Sequence, residues 1–185
     1  MLNIIKENKK LSECLLTIFD FEILDDFKEP DDADGHLTYN IAGKTFGICG
    51  DGSEYILLDD GSIGYWGSEG QTGRISDSID EFFEFIINCP YWQDYVRKEM
   101  YINNAVLSSF AKGAFEKLMT AMKEDNIDLI KKQRYVAEKL GIKLYGNGAI
   151  ELLTRFYTSA NREPKFYSEY KEDDGSKNIS SGTLF

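Results

Sequence analysis

The sequence predicts an α+β fold, a twisted antiparallel meander packed by helices, with additional helices following it. Three observations predict it. Short β-type runs between residues 37 and 76 are separated by glycine turns. At Ser78 the apolar period switches to that of a helix. With 185 residues the chain is long enough to bury one full core and short for two domains. A single domain over residues 1–162 is expected, followed by a polar, glycine-containing tail over 163–185 that reads as mobile.

From Leu11 to Phe27 apolar side chains are dense but follow no clean period, which reads as a helix entering an extended segment. Between Asp20 and Asp34 eight acids face Lys28 alone, a local net charge of −7. Such a block repels itself, so Glu29 to Gly35 is expected to be a solvated loop. The strand runs are Leu37 to Ala42, Thr45 to Cys49, Glu54 to Leu58, Ser62 to Trp66 and Arg74 to Ser76. Ala42-Gly43, Gly50-Asp51-Gly52 and Asp59-Asp60-Gly61 punctuate them, and Asp-Gly pairs supply the positive φ that tight hairpins demand. Connections this short join only antiparallel neighbours, so a meander of four or five strands follows.

Ile79, Phe82, Phe83, Ile86 and Ile87 then mark one helical face. Ser78 and Glu81 have the spacing of a capping box, and Pro90 stops the helix after Cys89. Residues 102–123 read as a second helix with a weak point at Gly113. Asp125 or Asn126 is placed to cap a third helix ending at Gly141, and a fourth runs from Ala149 to Ala160.

Thirty-two acids against 21 bases leave a net charge of −11. That balance argues against nucleic acid or an anionic membrane as partner and points to a basic protein. The N-terminal segment lacks the apolar run of a signal peptide, and no stretch approaches 18 apolar residues. Three cysteines, Cys14, Cys49 and Cys89, stand far apart in an odd number, as expected of a reduced, cytoplasmic chain with core thiols.

Apparent chemical motifs fail on inspection. Gly43-Lys44-Thr45 lacks the earlier glycine and the following helix of a phosphate-binding loop. Asp32 to Gly35 resembles the middle of a calcium loop, but Pro30 and Ile41 occupy its first and last ligand positions. The single histidine, His36, rules out two-histidine metal sites and reads as a loop residue. Gly64, Gly67, Gly70 and Gly73 recur every third residue without the order of a dinucleotide site, and read as a strand leaving into a tight loop. No cofactor, metal or catalytic residue is therefore expected.

Residues 51–92 carry a more specific pattern. Asp51-Gly52-Ser53, Glu54-Tyr55-Ile56-Leu57-Leu58-Asp59-Asp60-Gly61, Gly64-Tyr65-Trp66 and Ser68-Glu69-Gly70-Gln71-Thr72-Gly73-Arg74-Ile75 resemble the SUKH superfamily. The helix opening Ser78-Ile79-Asp80-Glu81-Phe82 and the exit Cys89-Pro90-Tyr91-Trp92 extend the likeness. Bacterial members of that family include many immunity proteins, and fungal members include regulators of cell-wall glucan synthesis. Longer bacterial members add helices after the exit, which accommodates residues 103–160. The N-terminal segment departs from the family pattern, since its only proline is Pro30, within the acidic block.

The resemblance implies a non-enzymatic protein-binding module in the cytoplasm, most simply an immunity protein that neutralises a basic, nuclease-type toxin domain. A regulatory scaffold and a small carboxylate-dependent enzyme remain open alternatives. The residues expected to meet the partner are Asp31, Asp32 and Asp34 as steering charge, with Tyr65, Trp66 and Glu69 as contacts. Strand alternation puts Tyr65 and Trp66 on opposite sheet faces, leaving open which of them is core.

Overall fold

The computed structural model describes residues 1–146, 149–173, 175–179 and 182–185. Helices α1 (Leu2–Glu7) and α2 (Lys9–Phe19) lead into strand β1 (Glu22–Lys28). The Asn8 side chain accepts from the Leu11 amide at the start of α2. Asp20 ends that helix in the left-handed region at φ 50, a conformation aspartate tolerates better than most residues, and β1 begins two residues later.

The meander is β3 (Gly43–Ile48), β4 (Glu54–Leu58), β5 (Ile63–Trp66) and β6 (Gln71–Ser76), antiparallel throughout. Strand β1 joins it at the β3 edge, and β9 (Gly182–Thr183) runs parallel to β6 at the other. The fold class is thus α+β, as predicted. One face of the sheet packs on the helices: Phe46, Tyr55, Ile63, Tyr65 and Ile75 meet Phe82, Phe83 and Ile86 of α3 (Ile79–Asn88) in the main core. Phe82 alone has the rings of Phe21, Phe46, Tyr55 and Phe83 within 6 Å, the geometry that makes aromatic cores tight. Helices α4 (Asn104–Glu124), α5 (Leu129–Leu140) and α6 (Ile150–Ala160) complete that layer.

Local chemistry differs from the expected caps in two places. Ser78 Oγ accepts from the Glu81 amide at 3.2 Å, but the Glu81 carboxylate reaches the Asp77 amide, one residue outside the box. Asp128, rather than Asp125 or Asn126, caps α5 by accepting from the Lys131 amide, because Asp125 to Asn126 still belong to the turn leaving α4. Gly141 ends α5 in the left-handed conformation, as its position requires.

Residues 37–42 do not enter the meander. After Lys28 the chain folds back across the outer face of the sheet, so β2 (Leu37–Tyr39) lies above it and pairs with β7 (Ser168–Lys171). Strand β7 in turn pairs with β8 (Lys177–Ile179), forming a second, three-stranded sheet. His36 is half-buried at its end, its Nδ1 2.9 Å from the Lys171 carbonyl and its ring stacked on Tyr170, rather than free in a loop.

The expectation of a mobile tail is also replaced. Phe166 is 1% exposed and packs with Ile56 and Leu58 in a second small core on the outer face, with Tyr39, Ile41 and Trp66 around it. Leu184 joins the main core on the inner face. The C-terminal segment therefore clasps the β6 edge from both sides. Two of the spaced glycines make this possible. A Cβ on Gly64 would lie 2.6 Å from the Phe166 ring, and one on Gly73 would lie 2.7 Å from Leu184. These positions sit inside β5 and β6, so the glycines serve close packing of the tail rather than only a loop.

Arg74, fully buried on the outer face, holds the crossing segment. Its Nε donates to Ser62 Oγ, Nη1 to the Arg162 and Pro164 carbonyls, and Nη2 to Asp60 Oδ2 at 3.0 Å. Arg162 also pairs with Asp60 and with Asp77. The buried guanidinium is satisfied on every side, the condition under which a buried charge is tolerable.

Candidate functional site

Two features near the open turns of the meander carry the candidate chemistry: the acidic edge and a cleft. In the acidic block, Glu22, Asp25, Asp26, Glu29, Asp31, Asp32 and Asp34 are all exposed. Among the described residues only Glu29 of these seven is in an ion pair, with Lys44. The edge strand β1 pairs regularly with β3 only at its start, and its register slips between Ile23 and Lys28. Such a bulged, charged edge resists indiscriminate pairing with other strands.

The loop after β1 is pinned by a residue that the sequence reading passed over. The carboxylate of Glu54, 2% exposed, accepts from Thr45 Oγ1 at 2.8 Å and the Asp31 amide at 2.9 Å, and pairs with Lys28 at 2.6 Å. The Asp31 carbonyl accepts from the Tyr39 hydroxyl, and the Asp31 carboxylate from the Ala33 amide. Burial, followed by the charges of Glu54, Asp31 and Asp32, pushes the Tyr39 hydroxyl far above its ordinary pKa, so it stays a donor. Asp31, Asp32 and Asp34 are therefore presented from an anchored loop, with Asp34 in the left-handed region at φ 59. The available signal for Glu54 was a lone acid on the polar phase of an otherwise apolar strand.

The second feature is a cleft of about 560 Å³ between the β3–β4 turn, the β5–β6 turn and the 3-10 turn Trp92–Tyr95. Tyr65 and Trp92, both buried, form its inner wall at a ring-centroid distance of 4.8 Å, near perpendicular. The Trp92 indole donates to Tyr55 Oη. Asp51, Ser68, Glu69 and Gln93 form the exposed rim. Asp51 is oriented by the Ser53 amide, and Ser53 Oγ accepts from the Ser68 amide, so the two turns are tied together. Burial, eased by hydrogen bonds from Ser53 and Gln93, raises the Tyr65 hydroxyl to about 12. It is a neutral phenol at any physiological pH.

The six residues singled out from the sequence fall in three places. Asp31, Asp32 and Asp34 lie on the loop that crosses the outer face. Trp66 is half-buried on that same face in the small core with Tyr39 and Ile41. Tyr65 belongs to the main core on the inner face, and it reaches the cleft together with Glu69. The outer face around Trp66 is thus partly covered by the second sheet. Cys14, Cys49 and Cys89 are buried and unpaired. Among the described residues no group of three His, Cys, Asp or Glu side chains could hold a metal ion, and no helix is long and apolar enough to cross a membrane.

No family model, curated protein or solved structure matches the chain.

Proposed function

We propose that this chain is a non-enzymatic binding module that captures a basic protein domain, most simply a nuclease-type toxin held inactive in the cytoplasm. The observation that carries the reading is the one-sided placement of charge. Residues 1–103 contain 21 acidic and eight basic side chains, whereas residues 104–143 contain five acidic and eight basic ones. A chain made acidic only for solubility has no need of that asymmetry; a surface that attracts a cationic partner does. Nucleases are typically basic because they hold phosphates. The acidic loop is also fixed by Glu54 and Tyr39, which lowers the ordering cost of binding. The likeness of residues 51–92 to the SUKH family supports the same class of function.

The test is affinity capture from the native cell with the intact chain and with a variant carrying Asp31→Asn, Asp32→Asn and Asp34→Asn, followed by reconstitution of the captured protein. The expected partner is basic, loses its activity on binding, and associates with a rate that falls steeply with salt. Steering of this kind lifts association from ~10⁵–10⁶ to ~10⁸–10⁹ M⁻¹s⁻¹ at low salt. The triple variant should associate more slowly and with a flatter salt dependence, because exposed charges act over about 8–10 Å at ordinary ionic strength. An acidic partner, or an association rate unchanged in the triple variant, refutes the steering surface.

A further inference from the structure

The geometry points to the cleft beside Tyr65 and Trp92 as a receptor for one arginine side chain of the partner. This deepens the reading of a basic protein partner and rests on it. The cleft has an aromatic inner wall and a rim carrying two carboxylates, Asp51 and Glu69, and among the described residues no lysine, arginine or histidine lines it. A cavity of this size lies within the ordinary range for binding pockets, and its polar groups converge on a small entrance. Its charge asks for a cation and its wall for a flat, weakly hydrated one. A guanidinium meets both demands, since it stacks on aromatic faces and offers five donors in a fixed fork, whereas an ammonium is a compact, strongly hydrated charge.

The acceptors suit such a fork. The Asp51 carboxylate is held by the Ser53 amide at 2.9 Å, with Ser68 Oγ 3.5 Å from its second oxygen. Glu69 is held only by Gln71 Nε2, at 3.3 Å, on an exposed turn whose glycines, Gly67 and Gly70, close it tightly. An arginine anchored in a recess with aromatic walls is the kind of contact that dominates protein interfaces. The separate placement of the acidic loop then makes sense: the loop accelerates encounter, and the cleft slows departure.

The experiment is a titration of the full chain, labelled with ¹⁵N, with N-acetyl-arginine methylamide. Its neutral citrulline counterpart and its lysine counterpart serve as controls. Trp66 and Trp92 are the two tryptophans, so a Trp66→Phe variant assigns the Trp92 indole signal. Saturable shifts are expected at that indole and at the Ser68, Glu69 and Gln71 amides. Binding should be about tenfold weaker for the lysine compound and absent for citrulline. Glu69→Gln should weaken binding severalfold, and with Asp51→Asn about tenfold or more, while the carboxamide of the Asp51→Asn variant keeps an acceptor for the Ser53 amide. Absence of shifts, equal shifts from citrulline or lysine, or binding indifferent to both substitutions overturns the assignment. Failure here with successful capture of a basic protein would mean that the partner engages another surface. Binding here with no basic partner captured would refute the functional reading and leave the arginine site standing.

Discussion

Replacing Gly64 by alanine should destabilise the protein through one contact, and a double-mutant cycle with Phe166 can isolate it. The added Cβ would stand 2.6, 2.9 and 3.2 Å from three atoms of the Phe166 ring, closer than van der Waals contact allows. The ring is 1% exposed and cannot swing away, because Ile56 and Leu58 pack against it and Tyr39 is stacked on it at 5.8 Å. Overpacking of this sort costs about 1–3 kcal/mol. Phe166→Ala empties the site and should cost about 3–5 kcal/mol. Backbone conformation at Gly64 is open to alanine, which by itself favours folding by about 0.4–1 kcal/mol. In the Phe166→Ala background, then, Gly64→Ala should be neutral or stabilising, and the pair should be more stable than the sum of the singles by about 1–3 kcal/mol. Gly61→Ala serves as a contrast: no neighbour meets its Cβ, but φ is +83, so it should destabilise without coupling to Phe166. Urea unfolding followed by far-ultraviolet circular dichroism measures all four corners. Additivity to within about 0.5 kcal/mol would refute the placement of the C-terminal segment over β5.

Phe82→Ala and Phe83→Ala, both at fully buried positions of α3, should each cost about 3–5 kcal/mol in the same assay, and an unchanged unfolding midpoint would remove α3 from the sheet. Partial burial raises the Asp60 carboxyl, but hydrogen bonds from the Ser62 hydroxyl and amide and the nearby Arg74 guanidinium outweigh it and hold the group below its ordinary value of 3.8. A depressed folded pKa contributes stability above that value and loses it as pH falls through the folded one. The stability gap between the protein and its Asp60→Asn variant should therefore be full near neutrality and shrink below about pH 4 in acid-dependent unfolding. Burial raises Cys89 and Cys14 and takes Cys49 to about 12, so none of the three should react with Ellman's reagent in the folded protein at pH 8. A fast-reacting thiol without denaturant would contradict their burial.

The sequence by itself determined the elements whose signal is local. The period of Ile79 to Ile87 demanded a helix with one apolar face, and Asp-Gly turns between short β runs demanded a meander. Gly141 marked the end of α5, where a left-handed residue was needed. Alternation alone separated Tyr65 from Trp66, and the structure decided that Tyr65 faces the main core and Trp66 the small outer one. What only tertiary structure decided rests on pairings between residues far apart in the chain. Leu37 to Tyr39 has the same β character whether it joins β3 or β7, and the anchoring of Asp31 to Glu54 settled the choice. Residues after Glu163 read as polar, yet backbone pairing needs no apolar side chain, and Phe166 and Leu184 suffice once Gly64 and Gly73 leave room. The cleft was illegible for the same reason. Asp51, Glu69 and Trp92 belong to three separate turns, and no local period records that the fold brings those turns together.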